Sequence, residues 1–286
     1  MIIVQLTGGL GNQMFQYALG RSLAHHHNSL LKMDITYYNS QGPNVIPRTY
    51  ELDCFNINQS FASREEISFI KNQKSGWLQK TLGKISPTYL SVYKEKNNSY
   101  NIKVFSTSNN IYLKGYWQNE KYFKNIETLI REEYAFKHSL SPKAKSLLKE
   151  IETGSSVSIH IRRTDYIGKA VEKVCSKEYY NKAIQHIAGQ IDNIQLYIFS
   201  DDIDWAKSNL EFSHPTTFVD KYYTENISWI DMQLMSKCKH CIIANSTFSW
   251  WAAWLNNNPD KIVVAPNEWN FKKDIKEIIP SEWITI

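Results

Sequence analysis

The chain has 286 residues, 42% of them hydrophobic and 13% aromatic, and a formal net charge of +5. This length predicts two domains, divided here as 1–152 and 153–286, and the apolar content is enough for packed cores, which excludes a disordered chain. The positive excess is small and scattered, which excludes a basic-faced reader of nucleic acid and suits an anionic small ligand or a weak membrane-surface contact.

Residues 2–6 read as a strand that runs into Gly8-Gly9-Leu10-Gly11. A helix then extends to about Ala24, with Met14, Phe15, Ala18, Leu19 and Leu23 on one face at helical spacing. Strand, glycine turn and helix open a βαβ unit. The start carries no charged leader and no stretch reaches membrane-span length, so the expectation is a soluble, cytoplasmic protein. Residues 55–110 are rich in Asn and Ser and weakly periodic, which predicts short helices and loops. An extended piece at 111–115 precedes Tyr116-Trp117-Gln118. A helix at about 142–151 and a turn at 152–155 mark the expected domain boundary. Beyond it, apolar strands at 157–161, 196–199, 217–219, 242–244 and 262–265 alternate with helices near 177–190, 204–210, 226–237 and 247–256. That alternation predicts a parallel sheet covered on both faces, with ligands bound beyond the carboxyl ends of its strands.

The residues just after each strand are therefore the site candidates. After the first strand, Gly9, Gly11, Asn12 and Gln13 could bring backbone N–H groups to an oxygen-rich ligand, or could form only a tight turn. Met14 stands where the dinucleotide fingerprint has its third glycine, which argues against a nicotinamide oxidoreductase. His160 and Arg162 should share one face of their strand, with Arg163 on the other. Two arginines at a strand end call for anionic partners: one is expected to pair with Asp165, and the other to meet a ligand phosphate. Asp201 and Asp202 follow the next strand; they read as a helix cap, as acceptors for a base or ribose, or, with Asp204, as ligands of a divalent metal. Asn245, Ser246 and Thr247 open a helix and could present N–H groups to an anion. Trp250, Trp251 and Trp254 read as packing. Cys238 and Cys241 form a C-x-x-C without a second pair, so neither zinc nor a disulfide framework is expected. His25-His26-His27 reads as a solvated helix end.

Together the segments GGLGNQMFQYALG (8–20), GYWQNEKYF (115–123), HIRRTD (160–165), FSDD (199–202) and MQLMSKCKHCIIANSTFSWWAAWL (232–255) resemble the α-1,2-fucosyltransferases of glycosyltransferase family 11. The resemblance implies an α/β fold of two Rossmann-like domains facing a cleft, the GT-B arrangement, with the acceptor side in 1–152 and GDP-fucose bound mainly by 153–286. It implies metal-independent, inverting transfer of fucose to the 2-hydroxyl of a galactose-terminated glycan, with no cofactor, no nucleic-acid partner and peripheral association with the inner membrane. Residue by residue, it implies that Arg162 contacts the diphosphate, His160 lies near the nucleoside, one of Asp201 and Asp202 reads guanine, and Asn12 stands beside the reaction centre. Thr164 occupies a position where bacterial members often carry glycine. Transfer of another deoxyhexose, α-1,6 transfer and a non-catalytic nucleotide- or glycan-binding module are the competing readings.

Overall fold

The computed structural model describes residues 1–43, 46–72, 91–96, 99–163, 174–269 and 275–286. The expectations for Thr164 and Asp165 lie outside the described residues. The chain divides into two units, Met1–Ala135 and Phe136–Ile286. The expected boundary at 152/153 is thus corrected to 135/136. The helix expected to end the first domain packs instead against strand and helix of the second.

The first unit holds β1 (Ile2–Gln5), α1 (Leu10–His26), β2 (Leu31–Asp34), α2 (Arg64–Asn72), β3 (Ser91–Lys94), β4 (Ile111–Lys114) and α3 (Glu127–Glu133). Its parallel sheet has the order β2-β1-β4-β3. Central β1 is covered on both faces, so Ile2, Ile3 and Val4 are all buried. Gly20 lets α1 lie close on that strand: a Cβ there would stand 2.8 Å from Leu31 Cδ1 and 3.1 Å from Val4 Cγ1. β3 corrects the expectation of helices and loops alone over 55–110. It is an edge strand whose burial alternates along Ser91–Lys94, so it carries no continuous apolar run.

The second unit holds α4 (Pro142–Thr153), β5 (Ser155–Ile161), α5 (Lys177–Ala188), β6 (Ile194–Ser200), α6 (Ile203–Asn209), β7 (Thr216–Phe218), α7 (Lys221–Thr224), α8 (Ser228–Lys237), β8 (His240–Ile242), α9 (Thr247–Leu255), β9 (Val263–Ala265) and β10 (Ile284–Thr285). Its six-stranded sheet is parallel, in the order β10-β9-β8-β5-β6-β7. From β5 the chain winds outward through β6 to β7, then crosses back to β8 and winds outward the other way. This is the strand order of a doubly wound Rossmann sheet, whose switch point lies between the first strand and the fourth, here β5 and β8. Val157, Ile159 and Ile161 of β5 pack with Tyr179, Tyr180 and Ile184 of α5 on one face. On α9, Trp250 and Trp251 are buried, and the Trp250 indole N–H donates to the Ile278 carbonyl at 2.9 Å. Among the described residues no helix is long and apolar enough to cross a membrane.

Candidate functional site

Side chains alternate across β5, so His160 lies opposite the α5 face. Its ring faces Phe248 of α9, with centroids 5.6 Å apart. Two residues on, Arg162 places Nη1 3.1 Å from Asp201 Oδ2, at the end of neighbouring β6. The other oxygen of the same carboxylate accepts the Arg163 backbone N–H at 2.8 Å. Asp201 therefore clasps both arginine positions at once. Arg163 turns toward α6, where its Nε donates to Asp202 Oδ2 at 3.3 Å and its guanidinium lies 3.8 Å from the Trp205 ring centroid. Asp202 also caps α6, accepting the Trp205 N–H at 3.3 Å. Among the described residues, each arginine thus has a carboxylate partner from the adjacent strand end, Asp201 for Arg162 and Asp202 for Arg163.

Across the switch point, β8 leads to the start of α9. Ser246 is its cap, accepting the Phe248 N–H at 3.4 Å. Asn245 turns inward: its Nδ2 donates to the Trp269 carbonyl at 3.2 Å, and its Oδ1 accepts the Cys175 thiol at 3.5 Å. Burial pushes that thiol up to about 12, so it stays protonated and donates. Thr247 begins the helix, half-buried. His160, Arg162, Asp201, Asp202, Asn245, Ser246 and Thr247 thus meet at one edge of one sheet. On α8, in its first turn, burial raises the Asp231 carboxyl to about 7.

Gly9, Gly11 and Asn12 belong to the other unit. Gly8 has φ +77° and Gly9 precedes the first residue of α1. The Leu10 N–H at that helix start donates to Glu51 Oε2 at 3.1 Å. A carboxylate there satisfies the positive end of the helix, and its charge opposes a second anion. Gln13 is buried: its amide donates to the Gly8 and Thr49 carbonyls at 3.1 and 2.8 Å and accepts the Glu51 N–H at 2.9 Å. Asp34, at the end of β2, is buried with Tyr112 O–H at 2.6 Å and Thr36 N–H at 2.8 Å. The acidic position that reads a ribose in dinucleotide folds is thus consumed internally. Asn12 Oδ1 accepts from Gln118 Nε2 at 2.9 Å.

Neither Glu51 nor Trp205 was singled out from the sequence. Trp205 could have been found from its place one turn into a helix after an Asp cap. Glu51 gives no local signal, because its partner is 41 residues away. Among the described residues no group of three or more His, Cys, Asp or Glu side chains is gathered as a metal site. Asp204 is exposed. The four cysteines are free thiols.

The model of glycosyl transferase family 11 matches residues 84–286. The chain belongs to glycosyl transferase family 11. An alpha-1,2-colitosyltransferase of Escherichia coli is 33% identical over 296 residues, covering 100% of this chain and 99% of the relative. The O-antigen biosynthesis glycosyltransferase WbnK of Escherichia coli is 32% identical, covering 98% and 99%. Among solved structures, POFUT1 in complex with GDP has a TM-score of 0.52 at 11% identity, covering 92% of this chain and 97% of that one. That likeness shows a shared α/β fold with parallel sheets. This family 11 glycosyltransferase carries the family match across the whole of its second unit.

Proposed function

We propose that the enzyme transfers L-fucose, or its 3-deoxy counterpart colitose, from a GDP-linked donor to the 2-hydroxyl of a terminal galactose, with inversion and without a metal. The second unit takes the donor and the first takes the acceptor. The observation that carries this reading is the Asp201 clasp on Arg162 and Arg163 at the carboxyl ends of β5 and β6, beside the switch point of a doubly wound sheet. An arginine held beside a carboxylate at a strand end is a guanidinium already oriented for another anion.

Leaving of the sugar puts negative charge on the β-phosphate. Arg162 and the N–H groups at the start of α9, beside Ser246 and Thr247, stabilise it as a preorganised electrostatic site. The diphosphate takes the place of Asp201 on Arg162. Arg163, stacked on Trp205 and tied to Asp202, keeps the strand end in register. His160, against Phe248, lies toward the nucleoside, and Asn245 fixes the turn into α9 through Trp269 and Cys175. Asp201 and Asp202 serve the site through the arginines that hold them. Asn12 orients the acceptor hydroxyl, and Gly9 and Gly11 shape the turn that carries it.

Support for the linkage and the donor class comes from the full-length likeness to an alpha-1,2-colitosyltransferase. A surface-glycan acceptor, in keeping with the name of the second relative, would bring the enzyme to the inner face of the membrane. The test is GDP release from GDP-fucose and from GDP-colitose, with and without lactose, in EDTA. Lactose-dependent release in EDTA is expected, and linkage analysis of the product should give the 1,2 bond. A pocket that hydrogen-bonds the 3-hydroxyl would reject colitose by about 10⁴-fold, so the ratio of the two rates names the donor. Tight GDP binding with no release from either donor would overturn the enzymatic reading in favour of a binding module.

A further inference from the structure

The first unit has its own switch point, between β1 and β4, where the chain winds to β2 on one side and to β3 on the other. Two amides meet across it. Gln118, after β4, donates from Nε2 to Oδ1 of Asn12, in the first turn of α1, at 2.9 Å. The Asn12 Nδ2 consequently turns toward Gly8, where it lies 2.6 Å from the position a Cβ would take. Any side chain at residue 8 would collide with that amide, and φ +77° at the same residue is a second demand that glycine alone meets cheaply.

The backbone that delivers Gln118 is strained. Trp117, bulky and fully buried, has φ +57°, a left-handed conformation that costs a non-glycine residue about 1–3 kcal/mol. It is held there by Glu95, whose carboxylate accepts the Tyr116 N–H at 2.7 Å and the Trp117 N–H at 3.1 Å. The Trp117 carbonyl in turn accepts the Asn119 N–H at 2.8 Å. The indole Nε1 is buried and has no hydrogen-bond partner among the described residues. The tryptophan thus gives up a relaxed backbone while its neighbour reaches Asn12.

We infer that Gln118 is a positioning residue for transfer: it fixes which way the Asn12 amide faces, and the Glu95-held turn exists to present it. The inference rests on the reading of Asn12 as the group that orients the acceptor hydroxyl. A primary amide offers an acceptor on one end and a donor on the other, so its orientation decides what it can do for a substrate hydroxyl. Gln118→Leu leaves the orientation unset. Gln118→Glu reverses it, because a carboxylate accepts only and draws Nδ2 of Asn12 toward itself.

The experiment is a double-mutant cycle on the full chain, reading kcat, the donor KM and thermal stability for Asn12→Ala, Gln118→Leu, Gln118→Glu and Asn12→Ala with Gln118→Leu. A misplaced orienting group costs about a hundredfold in rate. Both Gln118 variants are expected to lose kcat on that scale with the donor KM unchanged. In the Asn12→Ala background, Gln118→Leu should cost nothing further, since its effect passes through Asn12. Full or additive loss in that background, or an unaffected kcat in Gln118→Glu, overturns the inference while leaving the Asn12 reading standing. An Asn12→Ala enzyme with unchanged kcat overturns the Asn12 reading, and the inference with it.

Discussion

Arg162 is the residue on which the donor reading turns. It pairs with a carboxylate, Asp201, and the proposed donor reading puts a phosphate oxygen in that place. Removing one preorganised donor to a developing anion costs about 10²–10³ in kcat. Arg162→Ala should therefore lose activity on that scale while its far-ultraviolet circular dichroism matches the parent. An unchanged rate in that folded variant would remove Arg162 from the mechanism. Asp231 makes a separate prediction. Burial holds its carboxyl at about 7 in the folded chain, against about 3.8 when unfolded. A raised folded-state value favours folding at low pH, and the advantage is lost as pH rises through 7, because the ionised carboxylate must then stay desolvated. Asp231→Asn should accordingly melt higher than the parent at pH 8, with the gap narrowing as pH falls below 7 and closing only near the unfolded value of 3.8. A gap that widens toward acid pH would contradict this. The pairings themselves were hidden in the sequence. Arg163 and Asp201 are 38 residues apart and Asn12 and Gln118 are 106 apart, so composition at each strand end was legible and the partner was not.

Elements were legible where burial writes a long apolar run. β5 and β6 lie inside the sheet and read directly from VSIHI and LYIF, with boundaries moved by two residues at their starts. β3 and β10 lie at sheet edges, the first half-exposed and the second two residues long, and neither produces such a run. The helix α4 was legible as a helix but not as a member of the second unit, since its apolar face does not reveal which sheet it covers. At α1 the informative residue is Gly20, which permits close contact with Leu31 and Val4. Gly20→Val should force that interface apart and cost about 1–3 kcal/mol, read as a lower urea midpoint with an unchanged slope. A midpoint equal to the parent's would mean that the helix can shift without loss.

At the scale of the whole chain, two parallel sheets each place their candidate residues at their own switch point. In the first, Glu51 occupies the helix start and Asp34 is used internally; in the second, Arg162 pairs with Asp201 at the strand end. The nucleotide should therefore mark only one of them. Hydrogen–deuterium exchange with GDP is expected to slow amides near 160–163, 200–205 and 245–249 and to leave those near 8–16 unchanged. Protection of the glycine turn at equal strength would move the nucleotide to the first unit.

The Asp201 clasp also bears on how a turnover ends. On the proposed donor reading, once the sugar has gone the departing nucleotide and an internal carboxylate would compete for the same guanidinium, and the carboxylate is tethered within reach. Every increment by which Asp201 weakens the grip on GDP is an increment by which it hastens the emptying of the site. A protein without that internal rival would hold its spent nucleotide longer and would wait on product before each new cycle. On the proposed donor reading, the carboxylate beside Arg162 would work as a return spring, trading nucleotide affinity for the pace of release.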